Sequence, residues 1–407
     1  MTAVAERMAA TAELLSAPPF SDRDDAVCRY AFTPGFAATV DHVGSLLADA
    51  GLRVRRDRAG TLWGDRGAPG APRVGVGSHL DSVRRGGRWD GVLGMLVALE
   101  VARAAPDLPV RAVAWVEEEG AGFGQLLLGS RIATGAVDAD ALATAIRALD
   151  DGRPFTEHAR AAGMPTAACT ESAAILDGMV AWIEPHIEQA RVLEDTGTRL
   201  GVVDRIAGFV QGELVVEGRA DHAGATPMAL RRDAGLLAAE VMLRLEELAL
   251  THGAVATVGD VVLTPGAMNV VPARARLTLD IRGPHDAAVL GTLEEVLAFA
   301  GERAVARGLR TDYRERSRQP ATVLDTGVVD ALADAARVEG IEPLRMVSGA
   351  AHDTMVLAPY VPSAMLFVPC VDGLSHDPGE AVDPADAALA VRVVTRAAHT
   401  LIGGRDG

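Results

Sequence analysis

Five short segments of this 407-residue chain place histidine and carboxylate residues directly after apolar runs. The stretch GSHLDSVRRGGRWDG (77–91) offers His79, Asp81 and Asp90 on a glycine-rich loop. AWVEEEGAGF (114–123) offers Glu117, Glu118 and Glu119, and WIEPHIEQA (182–190) offers Glu184, His186, Glu188 and Gln189. VSGAAHD (347–353) brings His352 and Asp353, and GLSHDPGE (373–380) brings His376 and Glu380. Singly, each has a plain alternative: a hydrogen-bonded loop histidine, an acidic helix start favoured by the helix dipole, or a turn or cap. Together they point one way. Strand ends bearing His, Asp or Glu converge on one edge of a sheet, where open α/β folds place their chemistry. Imidazole and carboxylate without thiolate suit zinc, manganese, cobalt or nickel. Two such ions about 3.5–4 Å apart, the separation used for hydrolysis, need a shared carboxylate. Asp90, in its Gly-flanked turn, is the best candidate for that bridge.

The elements that must position these residues follow from periodicity. From about 73 to 206, apolar strands (73–78, 110–116, 179–184) alternate with helical patterns, as in a layered α/β domain. GVLGMLVALEVARAA, after the first loop, has apolar residues at helical spacing, and the Ala-rich stretch 136–177 reads as helical with no chemistry in it. Near 207 the style changes. A strand at 209–218, a helix at 228–249, strands at 254–263 and 274–282, a helix at 286–307 and a strand at 309–316 give β-α-β-β-α-β, the ferredoxin-like order. After Pro320 a helix (325–338) and further strands, ending at 363–370, resume the first style. The pattern predicts an α/β catalytic domain, residues 1–207 and 321–407, interrupted by an inserted module, 208–320.

Length and composition bound the rest. A chain this long suggests two domains, and 49% hydrophobic residues suit a well-buried enzyme. The net charge of −16 disfavours nucleic acid or an anionic membrane as partner, but not a small anionic substrate met by a local field. Cys28, Cys169 and Cys370 form no CxxC pair, so neither a disulfide framework nor a thiolate zinc site is indicated. The N-terminal stretch lacks a signal-peptide apolar core and no apolar run reaches membrane-spanning length. A cytoplasmic setting is expected.

GSHLDSVRRGGRWDGVLG, EEEGAGFG, HIEQARVLEDTGTRLGVVDRIAG, ADHAGATPMALRRDA, NVVPARARLTLDIRGP and SGAAHD followed by FVPCVDGLSHDPGE together resemble the hydantoinase/carbamoylase-type amidohydrolases. These dinuclear metallopeptidase relatives include N-carbamoyl-L-amino-acid hydrolases, β-ureidopropionases and allantoate amidohydrolases. The resemblance runs in matching order over roughly residues 70 to 385. It implies a metallopeptidase-like catalytic domain with a lid that also forms a homodimer, and two divalent ions (Zn, Mn, Co or Ni) per subunit. His79, Asp90 and His186 would hold one ion, and Asp90, Glu119 and His376 the other. Glu118 would be the general base that takes a proton from the attacking water, and Asp81 would orient the His79 ring. His222, Asn269 and Arg282 of the lid would face substrate, with His222 lent across the dimer interface. Gln189 and the Gly349–Ala350 backbone would line the same pocket.

The implied reaction is hydrolysis of a ureido or amide C–N bond in a small carboxylate substrate, first an N-carbamoyl-L-amino acid. Allantoate or an N-acyl amino acid remains open, since all share the metal set and a carboxylate anchor. An aminopeptidase or dipeptidase fits less well, because those relatives more often carry Asp or Glu where this chain has His186. A catalytically silent binding protein on the same fold is the reading from another class, and it would be expected to have lost the base or a ligand. One departure bears on specificity. The family often reads EEGSRFG where this chain has EEGAGFG, so Ala121 and Gly122 replace a serine and an arginine.

Overall fold

Apolar runs that leave no polar face belong in a sheet covered on both sides, and that is where these lie. The computed structural model describes residues 2–164 and 173–404, so Cys169 and part of the 136–177 stretch fall outside the described residues. Four neighbouring strands are parallel, in the spatial order Val110–Trp115, Arg73–His79, Met179–Ile187 and Ser363–Val368. Antiparallel strands Leu62–Asp65 and Arg53–Arg56 extend the sheet on one side, and Gly201–Ile206 on the other. Strands 73–79, 110–115 and 363–368 are buried at every position. Helix Val92–Ala104, buried from Val92 to Ala102, covers this sheet; a helix apolar all round belongs in such a core.

One close approach fixes the centre. Gly77 pairs with Val113 across the parallel strands, and a Cβ at residue 77 would lie 1.9 Å from the Val113 carbonyl oxygen. Only glycine lets the strands meet there, two residues before His79.

The segment before the first parallel strand is anchored by a buried cation. Arg29 is 1% exposed. Its Nε donates to the Leu80 carbonyl (2.6 Å), and its Nη1 donates to the carbonyls of Leu15 (2.6 Å) and Phe20 (3.3 Å). Ser82 exchanges two further hydrogen bonds with its backbone. Burial lowers the guanidinium pKa to about 10. The end of helix Ala3–Leu15 is thereby tied to the strand end that carries His79.

Contacts divide the chain into two units, Met1–Asp204 with Val323–Gly407, and Arg205–Thr322. The second contains an antiparallel sheet in the order Arg310–Gln319, Gly208–Glu217, Arg274–Gly283, with Val255–Thr257 and Val261–Thr264 both paired to the last of these. Helices Ala234–His252 and Asp286–Arg307 join a core with Val210, Leu214, Val216, Leu277, Leu279 and Ile281. Burial alternates strictly along Arg274–Gly283, so Asp280 and Arg282 lie opposite the core, as a strand's two-residue period demands.

Several boundaries differ from expectation. The strand expected at 254–263 is two short ones, separated at a turn where the Asp260 N–H donates to Thr278 Oγ1. The helix expected from 228 begins at Ala234, because the Asp233 carboxylate caps the N–H groups of Gly235 and Leu236; Met228–Leu230 form only a 3-10 turn. The 136–164 part of the Ala-rich stretch holds only short helices, Ala139–Thr144 and Phe155–Ala161. Between them the chain doubles back through a bridge between Arg147 and Pro154. Among the described residues no helix is long and apolar enough to cross a membrane.

Two glycine substitutions test this reading of the core. Gly77→Ala should destabilise by at least about 1–3 kcal/mol, as overpacking does, and lower the thermal unfolding midpoint. Gly301→Ala, in helix Asp286–Arg307 with nothing within 4 Å of the added Cβ, should raise stability by about 0.5–1 kcal/mol. Equal midpoints for the two variants would contradict the packing described.

Candidate metal centre

Each of the four parallel strands delivers polar side chains just past its carboxyl end. His79 closes its strand, Glu117–Glu119 follow Trp115, His186 lies at the end of the third strand, and the loop after Val368 carries His376. Asp90 comes back to the same edge because the chain turns sharply into helix Val92–Ala104 at Gly91. That glycine has φ +67°, and a Cβ there would fall 2.6 Å from the His79 ring.

The rings are aimed by main-chain carbonyls. His79 Nδ1 lies 3.0 Å from the Asp81 carbonyl oxygen, and His186 Nδ1 3.0 Å from that of Ile187. A carbonyl can only accept, so both Nδ1 atoms carry hydrogen and both Nε2 atoms turn inward. His79 Nε2 is 3.2 Å and His186 Nε2 3.4 Å from Asp90 Oδ1. On the other side, His376 Nε2 is 3.5 Å from Asp90 Oδ2 and 3.4 Å from Glu119 Oε1. Asp90 therefore faces two imidazoles with one oxygen and a third with the other. Glu118 Oε2 stands 3.8 Å from His79 Nε2.

The surroundings hold this arrangement rigidly. Gln189 Nε2 (3.0 Å) and Ser375 Oγ (2.9 Å) donate to Asp90 Oδ2. Glu380 Oε1 accepts the N–H groups of Trp89 (2.6 Å) and Asp90 (2.9 Å). The Asp81 carboxylate accepts the N–H groups of Glu118 and Glu119, each at 3.1 Å. Asp81 thus fixes His79 with its carbonyl and the two glutamates with its side chain.

The cluster demands positive charge. Burial alone would raise the Asp90 pKa, but His186 and His79 outweigh it and hold it well below the usual carboxylate range. Burial alone would lower that of His79, yet Glu118, Asp90 and Asp81 raise it well above the ordinary imidazole value. Burial pushes Glu118 well up despite His79. A hydrogen bond to Glu119 leads the causes that raise His376 to about 9. His186 Nε2 is buried without a hydrogen-bond partner among the described residues. The potential ligand atoms of His79, Asp90 and His186 lie within 4.8 Å of one another, as do those of Asp90, Glu119 and His376. Inward-facing imidazole nitrogens set against carboxylate oxygens fit divalent ions, which satisfy both at once.

The other expected residues are placed as follows. Gly349 and Ala350 follow strand Leu344–Ser348, where the Ala350 N–H donates to Ser348 Oγ (3.2 Å). His222, Asn269 and Arg282 belong to the second unit. His222 is exposed, and its Nδ1 accepts the N–H groups of Gly224 (3.1 Å) and Ala225 (3.2 Å). The Asn269 carbonyl accepts the Ala223 N–H, which ties the exposed Asn269 to the His222 turn. Arg282 is engaged by Asp280 through Nε (2.8 Å) and Nη2 (3.0 Å) and lies over the Phe209 ring.

Other residues in the five segments serve the scaffold. Glu184 accepts from Ser78 and Thr354, Glu188 caps Val192 and Leu193, and Asp353 accepts from Ser130. His352 hydrogen-bonds Ser348 beside the His186 ring. Sequence reasoning missed Ser375 and gave Glu380 no task. A serine directly before His376 was the only local sign.

Comparison with known proteins places the chain in a family. Residues 75–400 match the family described as Peptidase family M20/M25/M40. The chain is 36% identical to an N-carbamoyl-L-amino-acid amidohydrolase of Paenarthrobacter aurescens, covering 94% of this chain and 95% of that one. It is 37% identical to an N-carbamoyl-L-amino acid amidohydrolase of Geobacillus stearothermophilus, covering 93% and 94%. The crystal structure of a hydantoinase/carbamoylase family amidase from Burkholderia multivorans superposes with a TM-score of 0.89 at 31% identity, over 98% of this chain and 97% of that one. On sequence and fold together, the chain belongs to the M20/M25/M40 peptidase family and, within it, to the hydantoinase/carbamoylase amidases.

Proposed function

We propose that this protein is a metal-dependent amidohydrolase that cleaves the ureido C–N bond of N-carbamoyl-L-amino acids, giving the amino acid, carbon dioxide and ammonia. The observation that carries the reading is Asp90, whose two oxygens are divided between His79 with His186 and His376, with Glu119 and Glu118 alongside. The names of the two bacterial relatives supply the substrate class.

In this reading His79, Asp90 and His186 hold one divalent ion and Asp90, Glu119 and His376 a second, the metal being Zn, Mn, Co or Ni. When bound, such ions polarise a carbonyl and lower the pKa of water, which a poorly electrophilic ureido carbon requires. Glu118 is the general base and acid. It takes the proton of the attacking water and returns it to the departing nitrogen. Gln189 holds Asp90 at the edge of the pocket, and the Gly349–Ala350 backbone lines it.

Residues 208–320 form the lid and dimerisation domain of a catalytic domain built from 1–207 and 321–407. The strand order of its sheet supports a ferredoxin-like module. Leu243 (66% exposed) and Leu250 (79% exposed) on helix Ala234–His252, and Val262 and Leu263 on an edge strand, are exposed apolar residues of the kind a homodimer would cover. His222 supplies a donor to the tetrahedral oxyanion: with Nδ1 accepting two amides, its neutral ring carries hydrogen on Nε2. Arg282 anchors the substrate carboxylate, which would share or displace its contact with Asp280.

Three experiments test the function. Chelation should abolish turnover, and Mn²⁺, Co²⁺, Ni²⁺ or Zn²⁺ should restore it in a screen of N-carbamoyl amino acids, allantoate and N-acyl amino acids. Full activity in rigorously metal-free protein would sink the assignment, and turnover of allantoate alone would move the substrate.

Glu118→Gln should keep its metal content and lose about 10²–10⁴-fold in kcat, whereas Glu119→Gln should lose metal. Metal analysis of both purified variants beside their rates separates the two roles. Equal occupancy in both, or an active Glu118→Gln enzyme, contradicts them.

Mixing inactive Glu118→Gln with inactive His222→Ala subunits tests whether His222 acts in trans. In a symmetric dimer with composite sites, random exchange restores roughly a quarter of the wild-type sites. If His222 serves its own chain, every site keeps one defect, so a dead mixture after verified exchange refutes the trans role.

A further inference from the structure

The loop that carries Glu118 and Glu119 runs straight on into the wall of a cavity. Ala121, Gly122 and Phe123 line it, together with Tyr30, Phe32 and Leu149, and its volume is about 480 Å³. Arg84, three residues beyond Asp81, stands at the same cavity, so the loops after two adjacent parallel strands build both the candidate metal centre and this space. The connection is rigid. Glu117, next to Glu118, accepts the N–H groups of Gly122 (2.7 Å) and Phe123 (2.6 Å) on one buried carboxylate oxygen.

Rings and aliphatic groups make up most of the walls, with Thr33, Arg84, Asp150 and His158 as polar members. Phe32 and Phe123 meet edge to face at 5.9 Å, and each meets the buried Phe155 at 5.0 Å. Phe32 has φ +68°, a backbone region that bulky residues rarely adopt. Leu149, Ala148 and His158 come from the Ala-rich stretch that the sequence reading left without chemistry. Two of the wall residues, Ala121 and Gly122, are small. A Cβ at Gly122 would lie 2.9 Å from Glu117 Oε2, so a side chain there requires the glutamate to move, and Ala121 projects only a methyl group.

We propose that this cavity receives the side chain of the substrate, and that the enzyme prefers N-carbamoyl-L-amino acids whose side chains are aromatic or long and apolar. The inference rests on the proposed carbamoylase reaction and names its substrate class. Ring faces and leucine reward a large apolar group by desolvation, whereas a methyl side chain would leave most of the volume unused. A pocket of this size suits a small-molecule group.

The test compares kcat/KM for N-carbamoyl-L-phenylalanine and N-carbamoyl-L-alanine in the metal-loaded wild type, Ala121→Trp and Leu149→Ala enzymes. The wild type should favour the phenylalanine derivative by at least about tenfold, the scale on which apolar pockets discriminate. Ala121→Trp fills the cavity and should lower that preference by about tenfold or more, mainly through KM for the larger substrate. Leu149 is 67% exposed, so Leu149→Ala leaves the core intact and should lower the preference by a smaller factor even if the tryptophan variant does not fold. Turnover of both substrates without wild-type preference, or a preference unmoved by either folded variant, overturns the pocket while leaving the carbamoylase reaction standing. Turnover of neither substrate by metal-loaded wild type overturns both.

Discussion

Asp90 is buried and faced by three imidazole nitrogens within 3.5 Å of its oxygens. A carboxylate so placed is tolerable only with cationic charge beside it, and most of the surrounding construction serves to keep it there. Glu380 grips its main chain, Gln189 and Ser375 hold one of its oxygens, and Gly91 lets the chain turn away beneath the His79 ring. The imidazoles of His79 and His186 are oriented by backbone carbonyls, so their direction is set by the strand ends themselves.

That dependence links the fold to the chemistry. Four parallel strands must end at a common level for histidines on two of them and glutamates beyond a third to meet. The register that achieves this pairs His79 with Trp115, and Phe367 with His186. Gly77 is the point where the sheet is drawn tight enough for the first of these pairings. The same edge carries buried carboxylates with purely mechanical duties. Glu117 and Glu380 each accept two consecutive amides on one oxygen, while the other is buried without a hydrogen-bond partner among the described residues. Burial leads the causes that push both up to about 8.

The candidate cluster was legible because its signal is local: polar, ligand-capable residues where an apolar strand should continue or close. His79, Asp90, Glu119, His186 and His376 all announce themselves that way, and the structure brings them together. The division of labour among neighbours was not legible from composition or spacing. Glu117, Glu118 and Glu119 are identical letters in a row, and it takes the fold to turn Glu117 to the Gly122–Phe123 amides, Glu118 to His79 and Glu119 to His376. Glu380 finds its partners 290 and 291 positions away in the chain, a relation no window can contain. In the second unit the strand and helix types read correctly from period, while edges slipped where a cap or turn intervened. Thr226-Pro227 looks like a helix start, but the cap that acts is Asp233. The 136–164 region misled for a different reason: alanine content speaks for helix, but the doubling back between Arg147 and Pro154 keeps its helices to one or two turns.

The buried Arg29 extends this dependence to the chain's first helix. Its guanidinium is satisfied by carbonyls of Leu15, Phe20 and Leu80, with no carboxylate in hydrogen-bond contact among the described residues. Such a cation is bearable only while its cage of oxygens is complete. Trimming the first fifteen or so residues would therefore do more than shorten a surface helix. It would strip an oxygen from a dehydrated charge that also grips the residue beside His79, and the strand end could no longer be relied on to aim its ring. A break in the chain between residues 15 and 20 should accordingly be felt at the strand end that carries His79, which makes the helix a keystone rather than an ornament.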